Sequence, residues 1–325
     1  MDCFENYAGQ SVHIGRLKTE FTDGTFTHAY LFAGPAGTGK KSVARLCAMT
    51  AVCRGERKPC GECGPCRRIL AGTHPDVHIL TPLPGKRDIA VGQMRDMLRE
   101  ADVHTFEDSV KVFMIPDAEK MNMASQNTLL KTLEEPSPNT VFLLTIVHLS
   151  ALLPTVVSRC RLIRFHPLTD EQTEARLRAL GVEEGEVALR ARIAEGCVGQ
   201  ALAVQEDTIR LRDELARLFF SVHTLADIPA VVNRYKEEKD NRQVMLNLLE
   251  EIVRELIQVQ AGGRSNPNVP QEADSYAKHV PLQGGLALRE KIVEARKMLQ
   301  SNVSYQSVLE TVLIKISEEY NRWPW

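Results

Sequence analysis

Apolar residues fall into two regimes along this chain. In the first half they form short, nearly unbroken runs: His28 to Gly34, Asp76 to Leu80, Val110 to Ile115, Thr140 to Val147 and Arg161 to Phe165. Runs of that length, closed by Gly or Pro, are the pattern of strands buried on both faces of a parallel sheet. Helical spacing fills the gaps, with Val43, Ala44, Leu46, Cys47 and Met49 after the first run and Asn127 to Leu133 after the third. The second of these helices stops at Glu134-Glu135-Pro136, since proline disfavours helical geometry in the residue before it. Strands that alternate with helices predict a helix-covered parallel sheet.

Past Phe165 the pattern changes. Residues 167–206 read as two or three short amphipathic helices ending in Glu195-Gly196-Cys197-Val198-Gly199-Gln200. From about 207 the spacing is almost wholly helical. Val244, Met245, Leu248, Leu249, Ile252, Val253, Leu256 and Ile257 form one broad apolar stripe. A polar loop at 261–274 precedes two last helices, near 282–300 and 304–320. The expected organisation is an α/β P-loop domain over 1–166 with an inserted cysteine module, a small helical lid over 167–206 and an all-α domain over 207–325. A chain of 325 residues is long enough for such a division.

Bulk composition narrows this little. Hydrophobic residues at 43% and charged residues at 25% describe an ordinary globular protein. A net charge of −2 gives no general attraction to nucleic acid or anionic lipid, so DNA contacts would need local basic groups. The sequence carries neither an apolar run of membrane-spanning length nor a signal pattern over Met1 to Gln10, and the expected location is cytoplasmic.

Gly34-Pro35-Ala36-Gly37-Thr38-Gly39-Lys40-Lys41 follows a strand and opens a helix, the context a phosphate-binding loop requires. Small residues let backbone N–H groups converge on phosphate oxygens, and Lys40 would reach the β- and γ-phosphates. A plain glycine-rich turn is the bland alternative. One position departs from the motif: Lys41 stands where a Ser or Thr hydroxyl would ligate Mg²⁺, and Ser42 falls about 100° further round the helix. Binding of ATP or ADP therefore stays open, weak or without hydrolysis. At the tip of a neighbouring strand Asp117 supplies an acidic group of the kind that orders Mg²⁺, or else a turn or cap residue. Ala118 follows where a water-activating glutamate would belong, and Glu119, one residue late, is expected to leave the site.

Of eight cysteines, Cys53, Cys60, Cys63 and Cys66 crowd into a stretch rich in Gly and Pro. Four thiolates on tight turns suit tetrahedral Zn²⁺ and close its coordination shell, so a structural zinc is expected. Free thiols fit the polar surroundings poorly, a disulfide fits a reducing compartment poorly, and an iron–sulfur cluster remains an alternative. Arg159, in Ser158-Arg159-Cys160, reads from the residues alone as a surface arginine in an ion pair.

With these motifs in order, the chain resembles the clamp-loader branch of the AAA+ family along nearly its whole length. His28 to Phe32, the phosphate loop, the inserted cysteines, Asn127 to Pro136 and Ser158 to Cys160 carry the likeness. Within that branch, Ala71 to Asp76 and the altered ATPase positions Lys41, Ala118 and Gly199 resemble the delta-prime subunits, not the tau/gamma motors. A motor would be expected to carry an arginine near Gly199 and a polar group near Ile146 and Val147. The resemblance implies a helical collar in a heteropentamer with tau/gamma and delta subunits, which opens a sliding clamp and releases it around primed DNA. It also implies that Arg159 is donated to a neighbour's ATP site. A self-sufficient ATPase of the tau/gamma kind and a P-loop nucleotide kinase with a zinc lid are the rival readings.

Overall fold

The structure is a computed structural model that describes residues 4, 7 and 11–323, apart from 103, 104, 107–109, 205, 238–241, 263–270 and 302. It divides into two compact units, Met1–Leu202 and Ala203–Trp325.

The first unit is built on five strands, β1 (Ala29–Ala33), β2 (Val77–Ile79), β3 (Lys111–Ile115), β4 (Thr140–Ile146) and β5 (Arg161–Arg164). They form one parallel sheet in the order β2-β3-β4-β1-β5. The three central strands are buried at every position, which is why their sequences show no polar alternation. Side chains nevertheless sort by the period of two. Tyr30, Phe32, Val112, Met114, Val141 and Leu143 enter one core, and Leu31, Phe113, Ile115, Phe142, Leu144 and Ile146 enter the other.

The first core is covered by α1 (Ser11–Asp23) and α2 (Lys40–Val52), together with α3 (Gly64–Leu70) of the cysteine module. The second is covered by α4 (Val91–Arg99), α5 (Met123–Glu134) and the single turn α6 (Pro154–Val157). Helices α7 (Asp170–Ala179), α8 (Glu184–Ile193) and α9 (Val198–Ala203) follow β5, with Leu177, Val187, Ala191 and Ala201 as a small core of their own. This is the P-loop α/β architecture that the AAA+ likeness implies.

The second unit is all-α: α10 (Glu206–Phe220), α11 (Ile228–Tyr235), α12 (Arg242–Gln260), α13 (Gln271–His279), α14 (Leu282–Gln300) and α15 (Tyr305–Arg322). The stripe on α12 is core, since Met245, Leu248, Leu249, Ile252, Val253 and Leu256 are buried. Beneath it lies an ion cluster in which Arg212 bonds Glu251 at 2.9 Å and also Glu255, all three side chains at most 3% exposed. Among the described residues no helix is long and apolar enough to cross a membrane.

Three elements depart from the sequence expectation. Helix α5 begins at Met123, four residues before 127, because the Asn122 side chain accepts the Ser125 N–H at 2.9 Å and caps it. The stretch read as loop at 261–274 already holds the start of α13, whose charges suit its dipole, with Glu272 and Asp274 first and Lys278 and His279 last. Helix α3 lies inside the cysteine stretch read as turns, with Pro65 in its first turn and Arg67 and Arg68 in its last.

Candidate functional site

The carboxyl ends of the central strands meet where Ala33 pairs with Ile146 and Ile115 with Leu144. Open parallel sheets bind ligands at this edge. Gly34 leaves β1 with its N–H on Ile146 O at 3.2 Å, and the loop turns into α2 through Gly39, left-handed at φ 91°. Gly39 offers no side chain to cap α2, so the first-turn amides are left to face an anion.

Lys40 is buried, and its ammonium donates to Gly34 O and Pro35 O, both at 2.6 Å. Burial lowers its pKa, opposed first by the carboxylate of Glu119. Thr38 turns its hydroxyl onto Pro35 O at 2.9 Å. Gly37, Thr38, Gly39 and Lys40, but not Gly34, line a cavity of about 790 Å³ with Ser42, Asp117 and Thr145, a size suited to a nucleotide. Its other wall is apolar, formed by Leu168, Ala179, Leu180, Val198 and Leu202, with Arg176 among them.

Asp117 does not stand ready for a metal ion. Its Oδ2 receives the Lys41 ammonium at 2.7 Å and that of Lys120 at 3.5 Å. Burial alone would raise its pKa, but the two lysines outweigh burial and hold the carboxyl below its ordinary value. The strand tip is fixed from behind by Thr145, whose hydroxyl accepts the Asp117 N–H at 3.3 Å. Ser42 does reach the cavity wall despite its one-residue offset. Ala118 is fully buried, and its methyl group carries nothing that could orient water. Glu119 is absent from the cavity wall, yet its charge bears on Lys40 more than any other, so it has not left the loop's surroundings. The left-handed backbone at Asp117 (φ 61°) redirects the turn that carries it.

Helix α9 closes directly on the phosphate loop. The Gly199 N–H donates to Gly37 O at 2.8 Å, and the Gln200 side-chain amide donates to Ala36 O at 3.0 Å. A Cβ at position 199 would lie 3.0 Å from the Gly37 Cα and 3.1 Å from its carbonyl oxygen. A side chain here, such as the arginine expected near this position in a motor, would crowd the Gly37 backbone while the contact holds. Sequence reasoning noticed Gly199 only for the side chain it lacks, and missed Gln200, Tyr7 and Arg176. Gln200 lay within a motif already singled out; nothing local distinguishes Arg176 on α7.

Cys53, Cys60, Cys63 and Cys66 come together, their four sulfurs within 4.8 Å of one another. A tetrahedral ion with thiolates at about 2.3 Å needs sulfurs about 3.8 Å apart, so the cluster fits a metal with slight contraction. Backbone amides already point at sulfur: Cys60 N–H to Cys53 Sγ and Cys63 N–H to Cys60 Sγ, both at 3.3 Å. Amides of Cys63 and Glu62 pull the Cys60 thiol down to about 6. Burial pushes Cys53 and Cys66 up. Gly55 is required here, since a Cβ would meet Cys60 Sγ at 2.9 Å. The ring of sulfurs is anchored on the first core through buried Cys53, Cys66 and Ile69.

Arg159 follows α6. Its guanidinium bonds Thr155 O at 2.8 Å and Glu134, the last residue of α5, at 2.5 Å. Both side chains are partly exposed, and Arg159 is not among the residues that line the cavity.

Comparison with known proteins places this geometry. The family described as DNA polymerase III, delta subunit matches residues 9–169. DNA polymerase III subunit delta′ of Bacillus subtilis is 29% identical over 303 residues, covering 90% of this chain and 91% of that one. Together these matches support a delta-prime subunit of DNA polymerase III. Subunit delta′ of Haemophilus influenzae is 40% identical over 147 residues, 45% of each chain, so that match spans less than half of either. The tau subunit of Bacillus subtilis is also similar, 29% identical over 66% of this chain and 39% of its own.

Proposed function

We propose that this chain serves in the DNA polymerase III clamp loader as a fixed partner of the tau/gamma ATPases, lending Arg159 to a neighbour's ATP site and hydrolysing nothing itself. The observation that carries this reading is the Lys41–Asp117 ion pair, which places an ammonium between the loop and the acidic strand tip. Phosphoryl transfer in P-loop ATPases depends on a Mg²⁺ ordered between those two elements and on a group that positions water. Here the first place is occupied by Lys41, and the second carries buried Ala118.

Arg159 lies outside its own cavity and, among the described residues, is held by Glu134 and the Thr155 carbonyl oxygen. A half-exposed ion pair of this kind is worth about 1 kcal/mol or less, so a phosphate offered by a neighbour can displace it. The second unit would be the collar joining this chain to tau/gamma and delta subunits, and the assembled ring would handle the sliding clamp and primed DNA. The cysteine module would hold a structural zinc.

Reconstituted loader carrying Arg159→Ala should assemble normally. Its DNA-stimulated ATPase should fall by about a hundredfold or more at the site facing this chain. An unchanged rate would remove the arginine from the mechanism. Turnover by the purified chain alone, abolished by Lys40→Ala, would replace the whole reading with that of an autonomous motor.

A further inference from the structure

We propose that the phosphate loop of this chain takes a nucleoside di- or triphosphate as the free polyanion, the Lys41 ammonium standing where a P-loop ATPase holds Mg²⁺. This deepens the reading of the site as a phosphate loop and does not depend on the role of Arg159.

Magnesium fits the residues present badly. Mg²⁺ binds carboxylate oxygens at about 2.1 Å in octahedral geometry. The Asp117 oxygen that would take it already receives Lys41 at 2.7 Å and Lys120 at 3.5 Å. A dication on that oxygen would sit within a few ångströms of two ammonium groups, and the position that normally supplies a hydroxyl ligand supplies one of those ammoniums instead.

The free polyanion fits well. Lys40, Lys41 and Arg176 bring three cations to the cavity wall, against the carboxylate of Asp117 on the wall and that of Glu119 acting on Lys40 from outside it. Lys41 lies on the first turn of α2, where uncapped amides add to the same field. Bound to Asp117 on one side and to phosphate oxygens on the other, its ammonium would bridge the two groups that Mg²⁺ otherwise joins. Lys40 would exchange the carbonyls of Gly34 and Pro35 for phosphate oxygens, keeping its hydrogen bonds in number. The apolar wall of Leu168, Leu180, Val198 and Leu202 has no use for inorganic phosphate and suits a base and ribose.

The test is calorimetric titration of the full chain with ATP, ADP and pyrophosphate, each with excess EDTA and with excess Mg²⁺. ATP and ADP should bind in EDTA at least as tightly as with Mg²⁺, and pyrophosphate should bind about tenfold more weakly than ADP. Lys41→Thr should weaken metal-free binding by about tenfold and make it respond to Mg²⁺, whereas Lys41→Arg should keep the wild-type pattern. Lys41 is more than half exposed, so both variants should fold, and matched thermal unfolding curves establish that they do. Three results would each overturn the proposal: wild-type binding that requires Mg²⁺, no binding of either nucleotide in either buffer, or Lys41→Thr behaving as wild type. None of these bears on Arg159, whose test reads a neighbour's turnover.

Discussion

Gly199→Ala puts one methyl group into the contact between α9 and the phosphate loop, and two effects of opposite sign then compete. Alanine in place of glycine favours a helix by up to about 1 kcal/mol, less near a terminus, so a surface view predicts stabilisation. The structure predicts the reverse. The new carbon would stand 3.0 Å from the Gly37 Cα and 3.1 Å from its carbonyl oxygen, both backbone atoms that cannot rotate away. Gly37 is itself tied into the contact, since its carbonyl accepts the Gly199 N–H at 2.8 Å. Overpacking of this kind costs about 1–3 kcal/mol. Relief by lifting α9 sacrifices the Gly199–Gly37 and Gln200–Ala36 hydrogen bonds, at about 0.5–1.5 kcal/mol each. The net expectation is a loss of about 1–3 kcal/mol, confined to the docking of α9. Because such an opening is local, native-state hydrogen exchange is the proper assay. The amide of residue 199 should exchange about five- to a hundredfold faster in the variant, while the amides of β1 and β4 keep their rates. Equal or greater protection at 199 would mean that α9 does not rest on the loop as described.

Other expectations rest on separate parts of the chain. Metal analysis should return about one zinc per chain, and Cys60→Ser or chelation should loosen α3 from the first core. Zinc affinity should fall on acidification, because the buried thiols of Cys53 and Cys66 are protonated without metal, and it should fall more steeply below about pH 6, where Cys60 also takes up a proton. A metal titration insensitive to pH would contradict this. Burial alone would raise the Glu20 carboxyl, but hydrogen bonds from Arg161 at 2.6 Å, Tyr30 at 2.7 Å and Arg16 at 2.9 Å outweigh it and lower its pKa. Its contribution to stability is therefore present above the ordinary carboxylate range and lost as pH falls through the depressed folded value. Glu20→Gln should flatten that acid limb in urea midpoints measured against pH; an unaltered limb would assign it to other groups. Arg212→Ala takes from buried Glu251 and Glu255 the guanidinium they share and should cost the second unit about 3–5 kcal/mol in denaturant unfolding. Replacing all three by Met and Leu should cost far less, and equal losses would show that packing, not stranded charge, is what Arg212 provides.

How much of this was legible in the sequence follows from the range of each interaction. The three central strands stood out because burial on both faces removes polar alternation, and the phosphate loop because its spacing is local. The cysteines did too, lying within fourteen consecutive positions, Cys53 to Cys66. Helix α3 was hidden among them, since Gly64-Pro65-Cys66 reads as a turn until Pro65 is recognised as a first-turn residue. Helix α13 was hidden by the polar run before it, and the start of α5 by an N-cap whose only sign is Asn122 three residues before Ser125. What no local pattern could provide was pairing at a distance. Lys41 broke a motif in the sequence, but its meeting with Asp117, 76 positions away, depends on β1 and β3 both lying beside β4. Gly199 was likewise readable as an absence, and only the approach of α9 to Gly37 shows why a side chain is excluded.

Those two long-range contacts bear on each other. A hydroxyl missing at position 41 and an arginine missing at 199 would each leave an empty space if nothing stood in for them. Neither space is empty. Lys41 is bonded at 2.7 Å to the acidic group that would hold a metal in a motor, and Gly199 admits a backbone contact that a side chain would crowd. Each substitution thus has a partner that depends on it, so reverting one alone should not restore a motor. Lys41→Thr leaves Asp117 to Lys120 alone and keeps α9 on the loop, and Gly199→Arg strains α9 against the loop but leaves Lys41 on Asp117. Intrinsic ATP turnover in either single variant, measured on the isolated chain, would show that the two contacts are incidental; its absence in both is what paired replacement requires.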